Sequence, residues 1–288
     1  MKASVIIPCY NAETTIRAQL EALGSQDWSE PWEIILVDNG STDQSLQIAR
    51  QYKEKLPNFK IVQANQVKGP AHARNRGAKA AKGESLLFCD ADDEVAPGWV
   101  AAMGRALAQH DFVACRMESL KLNAPWAVEA RMCPQQEGLG IYKYPPFLPH
   151  GGGGGLGIKR KIHKTVGGFD ENMPFLEDTD YCWRVQLSGT KLIFVPDALV
   201  HIRLRGSTGT MLRQSKLWGE YNVFLYKKYR SYGMPKLSKK EGVKRTWKLL
   251  KRMPYSLKNS LKRQKWLTQF AWQYGRAIGS IKYHTFAL

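Results

Sequence analysis

Acidic residues all but vanish from the last stretch of this 288-residue chain: residues 227–288 hold Glu241 alone against 17 Lys and Arg. Residues 1–226 carry 26 basic and 24 acidic side chains, so nearly all of the net charge of +18 lies in the C-terminal stretch. A near-neutral body argues against a protein built throughout for nucleic acid, and the basic end needs its own account. Long apolar runs are lacking too. No stretch approaches the ~20 consecutive apolar residues of a membrane-spanning helix. Met1-Lys2-Ala3-Ser4-Val5-Ile6-Ile7-Pro8 is too short an apolar run for a secretory signal. A cytoplasmic chain is the expectation. Cysteine is sparse: Cys9, Cys89, Cys115, Cys133 and Cys182 are odd in number and lack any Cys-x-x-Cys spacing. That pattern excludes a disulfide framework and a thiolate zinc site, and leaves reduced, mostly buried thiols.

What is present is a regular alternation. Apolar, β-branched runs at Ser4–Ile7, Glu33–Val37, Lys60–Val62 and Ser85–Cys89 alternate with helix-like stretches near 12–24, 43–54 and 70–81. This βαβαβαβ series predicts parallel strands, buried on both faces and joined by right-handed crossovers. Their C-terminal loops then share one edge. Ser41, Thr42 and Asp43 are available as helix caps, and Pro97 suits a first helical turn. Beyond about residue 110 short mixed strands are expected, with Pro125, Pro134, Pro145, Pro146 and Pro149 marking an irregular stretch. A helix is predicted over Glu177–Leu187, with Asp180 and Arg184 as an i,i+4 pair and Gly189 as its stop. A strand around Lys191–Val195 leads through Pro196 to His201.

The sharpest chemical signal is Leu86-Leu87-Phe88-Cys89-Asp90-Ala91-Asp92-Asp93-Glu94, a buried strand ending in carboxylates. At the mouth of an open α/β sheet, Asp-Ala-Asp reads as a hard-cation site for a diphosphate, although an acidic turn capping the next helix would look the same. Its neighbours decide between the two. In order come Val5-Ile6-Ile7-Pro8-Cys9-Tyr10-Asn11, Val37-Asp38-Asn39-Gly40-Ser41-Thr42-Asp43, Ala73-Arg74-Asn75-Arg76-Gly77 and Asp90-Ala91-Asp92-Asp93. They are followed by Gly167-Gly168-Phe169-Asp170-Glu171, Glu177-Asp178-Thr179-Asp180 and Pro196-Asp197-Ala198-Leu199-Val200-His201. Across residues 3–205 this ordered set closely resembles the family 2 glycosyltransferases with the GT-A fold.

The resemblance implies an α/β chain with a Rossmann-like nucleotide-sugar-binding half over 1–95, merged with a mixed-sheet acceptor half over 96–205. Residues 206–288 then form a basic, mainly helical extension. It implies inverting, metal-dependent transfer of a sugar from a nucleotide diphosphate to an acceptor hydroxyl, in cell-surface polysaccharide, lipopolysaccharide or glycolipid synthesis. Asp92, with Asp90 through water and His201 beyond the last core strand, is the implied ligand set for Mg²⁺ or Mn²⁺. Pro8, Tyr10, Asp38, Asn39, Arg74, Asp90 and Ala91 are the implied donor contacts. Many relatives have Asp-Asp where this chain has Asp38-Asn39, so UDP-, dTDP- and GDP-linked donors all stay open. Asp178 is the implied general base and Glu177 orients the acceptor. The run Gly151–Gly155 resembles the segment walling donor sugar and acceptor and is expected to be a mobile wall, with His150 a candidate at the acceptor site.

Two other classes compete. A sugar nucleotidyltransferase should carry a glycine-rich basic phosphate loop after the first strand, and Pro8-Cys9-Tyr10-Asn11-Ala12 is not one. A nucleic-acid-binding protein explains the basic end but leaves Asp90, Asp92, Asp178 and His201 without purpose, so no nucleic acid is expected. In residues 227–288 Lys and Arg interleave with Trp247, Leu250, Leu257, Leu261, Trp266, Phe270 and Trp272. Such basic amphipathic helices suit an anionic membrane surface, which points to peripheral attachment on the inner face and a lipid-linked or glycan acceptor. Packing on the catalytic domain, or on a second subunit of a homo-oligomer, is the competing account.

Overall fold

The structure is a computed structural model that describes residues 1–131 and 135–288, so Cys133 and Pro134 lie outside the described residues. The first half alternates β1 (Ala3–Cys9), α1 (Ile16–Gly24), β2 (Trp32–Asp38), α2 (Ser45–Arg50), β3 (Lys60–Gln63), α3 (Pro70–Ala80) and β4 (Ser85–Phe88). Then follow β5 (Glu94–Val95), α4 (Trp99–Gln109), β6 (Phe112–Glu118), α5 (Pro125–Ala130), β7 (Leu156–Lys159), α6 (Arg160–Thr165), α7 (Glu177–Leu187) and β8 (Ile193–His201). One sheet in the order β3-β2-β1-β4-β7-β6-β8-β5 holds all eight. β3, β2, β1 and β4 are parallel, β7 runs antiparallel to β4 and β6, and β8 is again parallel to β6.

The central strands are buried along almost their whole length, as strands covered on both faces are, which is why they read as largely apolar runs. Glu33, a buried charge inside β2, is matched by three donors: Ser4 Oγ at 2.7 Å, the Lys82 backbone N–H at 2.6 Å and Lys60 Nζ at 2.6 Å. Registers of Cys9 with Asp38 and Ile6 with Phe88 bring the loops after β1, β2 and β4 to one edge.

Local differences from the sequence reading have simple causes. α2 is shorter than 43–54, and its start is organised by Asp43 Oδ1, which accepts from the Ser45 N–H at 3.0 Å. Pro97 precedes the left-handed Gly98 and stands before α4 instead of in its first turn. Pro125, read as a mark of irregular chain, opens α5, where its missing N–H costs no helical bond. The last strand does not stop at Val195. The ladder with β6 jumps from Cys115–Val195 to Arg116–Leu199, so Pro196 falls in the irregularity, where no ladder donor is needed, and pairing resumes to His201.

Two compact units result: residues 1–121, 135–140 and 149–203, which include the whole sheet, and residues 122–131, 141–148 and 204–288. The second consists of α5 with α8 (Thr208–Tyr229), α9 (Lys239–Lys251), α10 (Met253–Leu257) and α11 (Ser260–Lys282). α8 and α11 approach backbone to backbone, since a Cβ on Gly275 would strike the Lys216 carbonyl. Ser207, Ser238 and Asn259 cap α8, α9 and α11 through their side-chain oxygens. Among the described residues no helix is long and apolar enough to cross a membrane.

Candidate active site

The rim of the sheet is built by cross-links between the loops after β1 and β2. Asn11, held at φ +48°, accepts from the Thr42 N–H at 2.8 Å, and the Ala12 N–H donates to Ser45 Oγ at 2.7 Å. Asp38 is buried and folds its carboxylate over the Gly40 and Ser41 N–H groups at 3.3 and 3.2 Å. Asn39 is engaged more completely. Its Nδ2 donates to the carbonyls of Ala64 and Val67, and its Oδ1 accepts from Gly69 N–H at 2.7 Å. Both amide hydrogens are therefore committed to the 64–69 loop. Pro8 is half-buried and Tyr10 exposed at the same rim.

The loop after β4 brings three carboxylates together. Asp90, Asp92 and Asp93 each offer an oxygen, all within 4.8 Å of one another. Gln19 braces both ends of this loop: its Nε2 donates to Asp90 O at 2.9 Å, and its Oε1 accepts from Val95 N–H at 3.0 Å. Asp93 is buried, and burial together with the Asp92 and Asp90 charges pushes its carboxyl well above the usual carboxylate range. Such repulsion is what a bound cation relieves, and a set of hard oxygen donors suits Mg²⁺ or Mn²⁺. The approach is kept open by glycine, since a Cβ on Gly154 would stand 2.8 Å from Asp90 Oδ2 and 3.2 Å from Asp93 Oδ2. The residues present therefore fit a divalent ion.

His201 stands outside that trio. At the end of β8 its Nδ1 bonds Glu118 Oε1, and its backbone faces Glu94 of β5. A carboxylate on Nδ1 leaves Nε2 as the acceptor nitrogen, the arrangement found for metal-binding histidines. Asp93 was not singled out from sequence as a ligand, although its place beside Asp92 was the available signal. Arg203 was missed outright. Its N–H donates to Asp93 Oδ1 at 2.8 Å and its Nε to Asp92 O at 3.1 Å.

Arg74 links this acidic loop to the start of α7. Its guanidinium is buried and donates to Asp90 Oδ1 at 2.7 Å and Glu177 Oε1 at 2.9 Å. Burial opposes its charge, but the Asp90 and Glu177 carboxylates outweigh that and hold the proton more firmly than usual. Glu177 is buried as well. Its carboxyl is pushed up to about 7 by burial and by the Asp178 charge, against the pull of Arg74. Beneath Arg74 lies Phe169, 5.5 Å from the guanidinium and stacked on Tyr181 at 4.0 Å. Asn75 fixes Phe169 by pairing with both its backbone N–H and C=O, at 2.8 and 2.9 Å. The Arg-Asn and Gly-Gly-Phe-Asp-Glu motifs thus form one support for Arg74.

The glycine run is a packed wall. Gly153–Gly155 form a buried 3₁₀ turn, and a Cβ on Gly153 would lie 2.7–2.9 Å from all three terminal guanidinium atoms of Arg74. The mobile segment expected from five glycines is replaced by close approach to the site, which only a residue without a side chain permits. Gly153 N–H donates to Asp178 Oδ2 at 3.0 Å, and Asp178 Oδ1 accepts from Thr179 N–H at 2.7 Å. Gln135 secures the turn: its Oε1 accepts from Gly152 N–H at 2.7 Å while its Nε2 donates to Cys115 O at 2.6 Å. No sequence signal marked Gln135. Ala91 is buried and His150 half-buried, and desolvation pushes the His150 imidazole pKa down against the Asp178 charge.

Comparison with known proteins bears on the fold and the family. The chain is 40% identical over 126 residues to the uncharacterized glycosyltransferase YibD of Escherichia coli, a match covering 43% of this chain and 34% of that protein. It is 44% identical over 97 residues to the poly(ribitol-phosphate) beta-glucosyltransferase of Bacillus spizizenii, covering 33% of this chain and 15% of that protein. The chain thus spans only a minor part of the length of these relatives. Among solved structures, the mannosyltransferase PcManGT of Pyrobaculum calidifontis, in complex with GDP-Man and Mn²⁺, superposes with a TM-score of 0.62. That match has 20% identity and covers 100% of this chain and 76% of the other. Residues 1–349 of S. aureus TarS, in complex with UDP-GlcNAc, give 0.55 at 19% identity, covering 100% and 93%. The fold is thus that of the GT-A glycosyltransferases. The family model for glycosyl transferase family 2 matches residues 4–167, more than half of the sequence, and the chain belongs to that family.

Proposed function

We propose that this protein is an inverting glycosyltransferase that moves a sugar from a nucleotide diphosphate to an acceptor hydroxyl. The observation that carries the reading is Arg74, which ties the Asp90, Asp92 and Asp93 loop to the Glu177-Asp178 helix start through two short ion pairs. A leaving-group site and a base site are thereby held by one buried side chain, as a single displacement requires. Asp178 takes the proton from the acceptor hydroxyl as its oxygen bonds to the anomeric carbon. The bond from that carbon to the diphosphate oxygen breaks on the opposite face, and the nucleoside diphosphate leaves with the electron pair. Asp90, Asp92, Asp93 and His201 are the residues that would hold Mg²⁺ or Mn²⁺. When bound, the ion supplies charge neutralisation for the departing diphosphate. Arg74 holds Asp90 toward the donor and Glu177 toward the acceptor. Pro8, Tyr10 and the Asp38 turn form the nucleoside rim, and the glycine wall closes the sugar pocket.

The acceptor in this reading is lipid-linked or a growing glycan, with residues 227–288 attaching the enzyme to the inner face of a membrane. The relative that acts on poly(ribitol-phosphate) and the basic C-terminal stretch support that part. The test of the chemistry is Asp178→Asn. Transfer is expected to drop by about 10²–10⁴-fold, while calorimetric binding of UDP or GDP with Mn²⁺ persists. Transfer at the wild-type rate would remove Asp178 from the mechanism.

A further inference from the structure

The tertiary structure divides the apolar residues of the basic stretch into two sets. Trp266 is buried and its Nε1 donates to Leu249 O at 2.8 Å, while Thr246 of α9 is bound by Gln273 at 2.7 Å and Arg245 lies 4.1 Å over the Tyr144 ring. That flank of α9 belongs to the packing of the helical unit. On the other flank Val243, Trp247 and Leu250 stand exposed at i, i+4 and i+7, with Trp247 59% accessible. In α10 Met253, Tyr255 and Leu257 are exposed as well, the tyrosine at 63%. Lys240, Lys244, Lys248 and Lys251 are exposed alongside, and Lys251 Nζ sits 5.5 Å over the Trp247 ring. The one acidic residue nearby, Glu241, is paired with Arg245 at 3.2 Å.

Exposed aliphatic and aromatic groups gathered on neighbouring turns are unfavourable in water and mark a contact surface. Nucleic acid would use the lysines but offers nothing to bury valine, leucine and methionine. A headgroup layer satisfies both sets. Apolar side chains enter the acyl boundary, Trp and Tyr sit at the interface, and lysines reach lipid phosphates along their own apolar stems. We propose that the α9–α10 edge bearing Val243, Trp247, Leu250, Met253, Tyr255 and Leu257 is a lipid-contact face that docks this chain on an anionic bilayer. The proposal rests on the peripheral-membrane part of the function above and assigns it to one edge, excluding Trp266 and the α11 interface.

The test is co-sedimentation of the full chain with phosphatidylcholine vesicles containing either no phosphatidylglycerol or about 30% of it. Expected are binding to the anionic vesicles alone, about tenfold weaker binding at ~0.5 M salt, and about tenfold loss in a Trp247→Ser/Leu250→Ser variant. That variant should keep the wild-type thermal shift with Mn²⁺ and UDP or GDP. No vesicle binding, equal binding to neutral vesicles, or unchanged binding by the variant would overturn the assignment. A wild-type dimer that the variant converts to monomer would overturn it too, since a second copy would then cover the face. Vesicle binding with no sugar transfer from any nucleotide donor overturns the catalytic reading and leaves this one standing.

Discussion

Gly153→Ala probes whether the glycine run is a packed wall or a flexible connection. The new Cβ would stand 2.7 Å from Arg74 Nη2, 2.8 Å from Cζ and 2.9 Å from Nη1, so it meets the flat of the guanidinium and not a movable tip. Arg74 cannot simply retreat, because Asp90 at 2.7 Å and Glu177 at 2.9 Å hold it on two sides. Either the turn shifts, at an overpacking cost of about 1–3 kcal/mol, or an ion pair gives way, at about 3–5 kcal/mol for a buried pair. The smaller cost wins, so a loss of roughly 1–3 kcal/mol is expected. At roughly 2–4 °C per kcal/mol, the melting temperature falls by about 2–12 °C. Shifting the turn also moves the N–H that Asp178 accepts at 3.0 Å, so transfer falls beyond the loss of folded protein. Gly138→Ala is the control, since nothing lies within 4 Å of its Cβ position. Scanning calorimetry and initial-rate transfer on both variants decide the matter. A Gly153→Ala protein as stable and active as the Gly138→Ala one would refute the packed-wall reasoning.

Asp92→Ala should abolish the extra thermal stabilisation that Mn²⁺ gives in the presence of UDP or GDP, together with transfer, while leaving the metal-free melting temperature near wild type. Glu177 carries a pH signature. With its carboxyl raised to about 7 from an ordinary 4.5, the folded state holds the proton more tightly than the unfolded chain. Its contribution is full below pH 4.5 and is lost as pH rises through about 7. Urea titrations of Glu177→Gln should lack that slope, and an unchanged slope assigns it to another group. Gln135→Met should free the Gly152 N–H and loosen the wall, reducing turnover about tenfold with donor affinity kept, as binding calorimetry and kinetics on the same protein would read.

The elements of the sheet half were largely legible from local pattern. The four early runs are β1 to β4, in parallel pairing, and α7 spans Glu177–Leu187 with the Asp180–Arg184 pair at 2.7 Å. Burial on both faces leaves that mark in sequence because it demands apolar residues at every position. The roles of single polar residues were less legible. Asn39 reads from sequence as a donor contact, and the structure commits its amide hydrogens to the carbonyls of Ala64 and Val67. Arg74 reads from sequence as a donor contact, and its partners in the fold are Asp90 and Glu177, the latter 103 residues away. Gln135 and Arg203 had no motif, because one amide or guanidinium acts through backbone groups whose identity no side chain records.

The sequence by itself determined the chemistry on offer: a parallel α/β scaffold, carboxylates at a strand end and a helix start, and a basic end with one acidic residue. Periodicity and motif order are local, so they survive in one dimension. The tertiary structure decided which of these groups meet. It joined the acidic loop to α7 through Arg74, pressed the glycines against that guanidinium, and left Val243, Trp247 and Leu250 outside while burying Trp266. Burial and pairing depend on partners distant in the chain, and for these residues the fold alone supplies them.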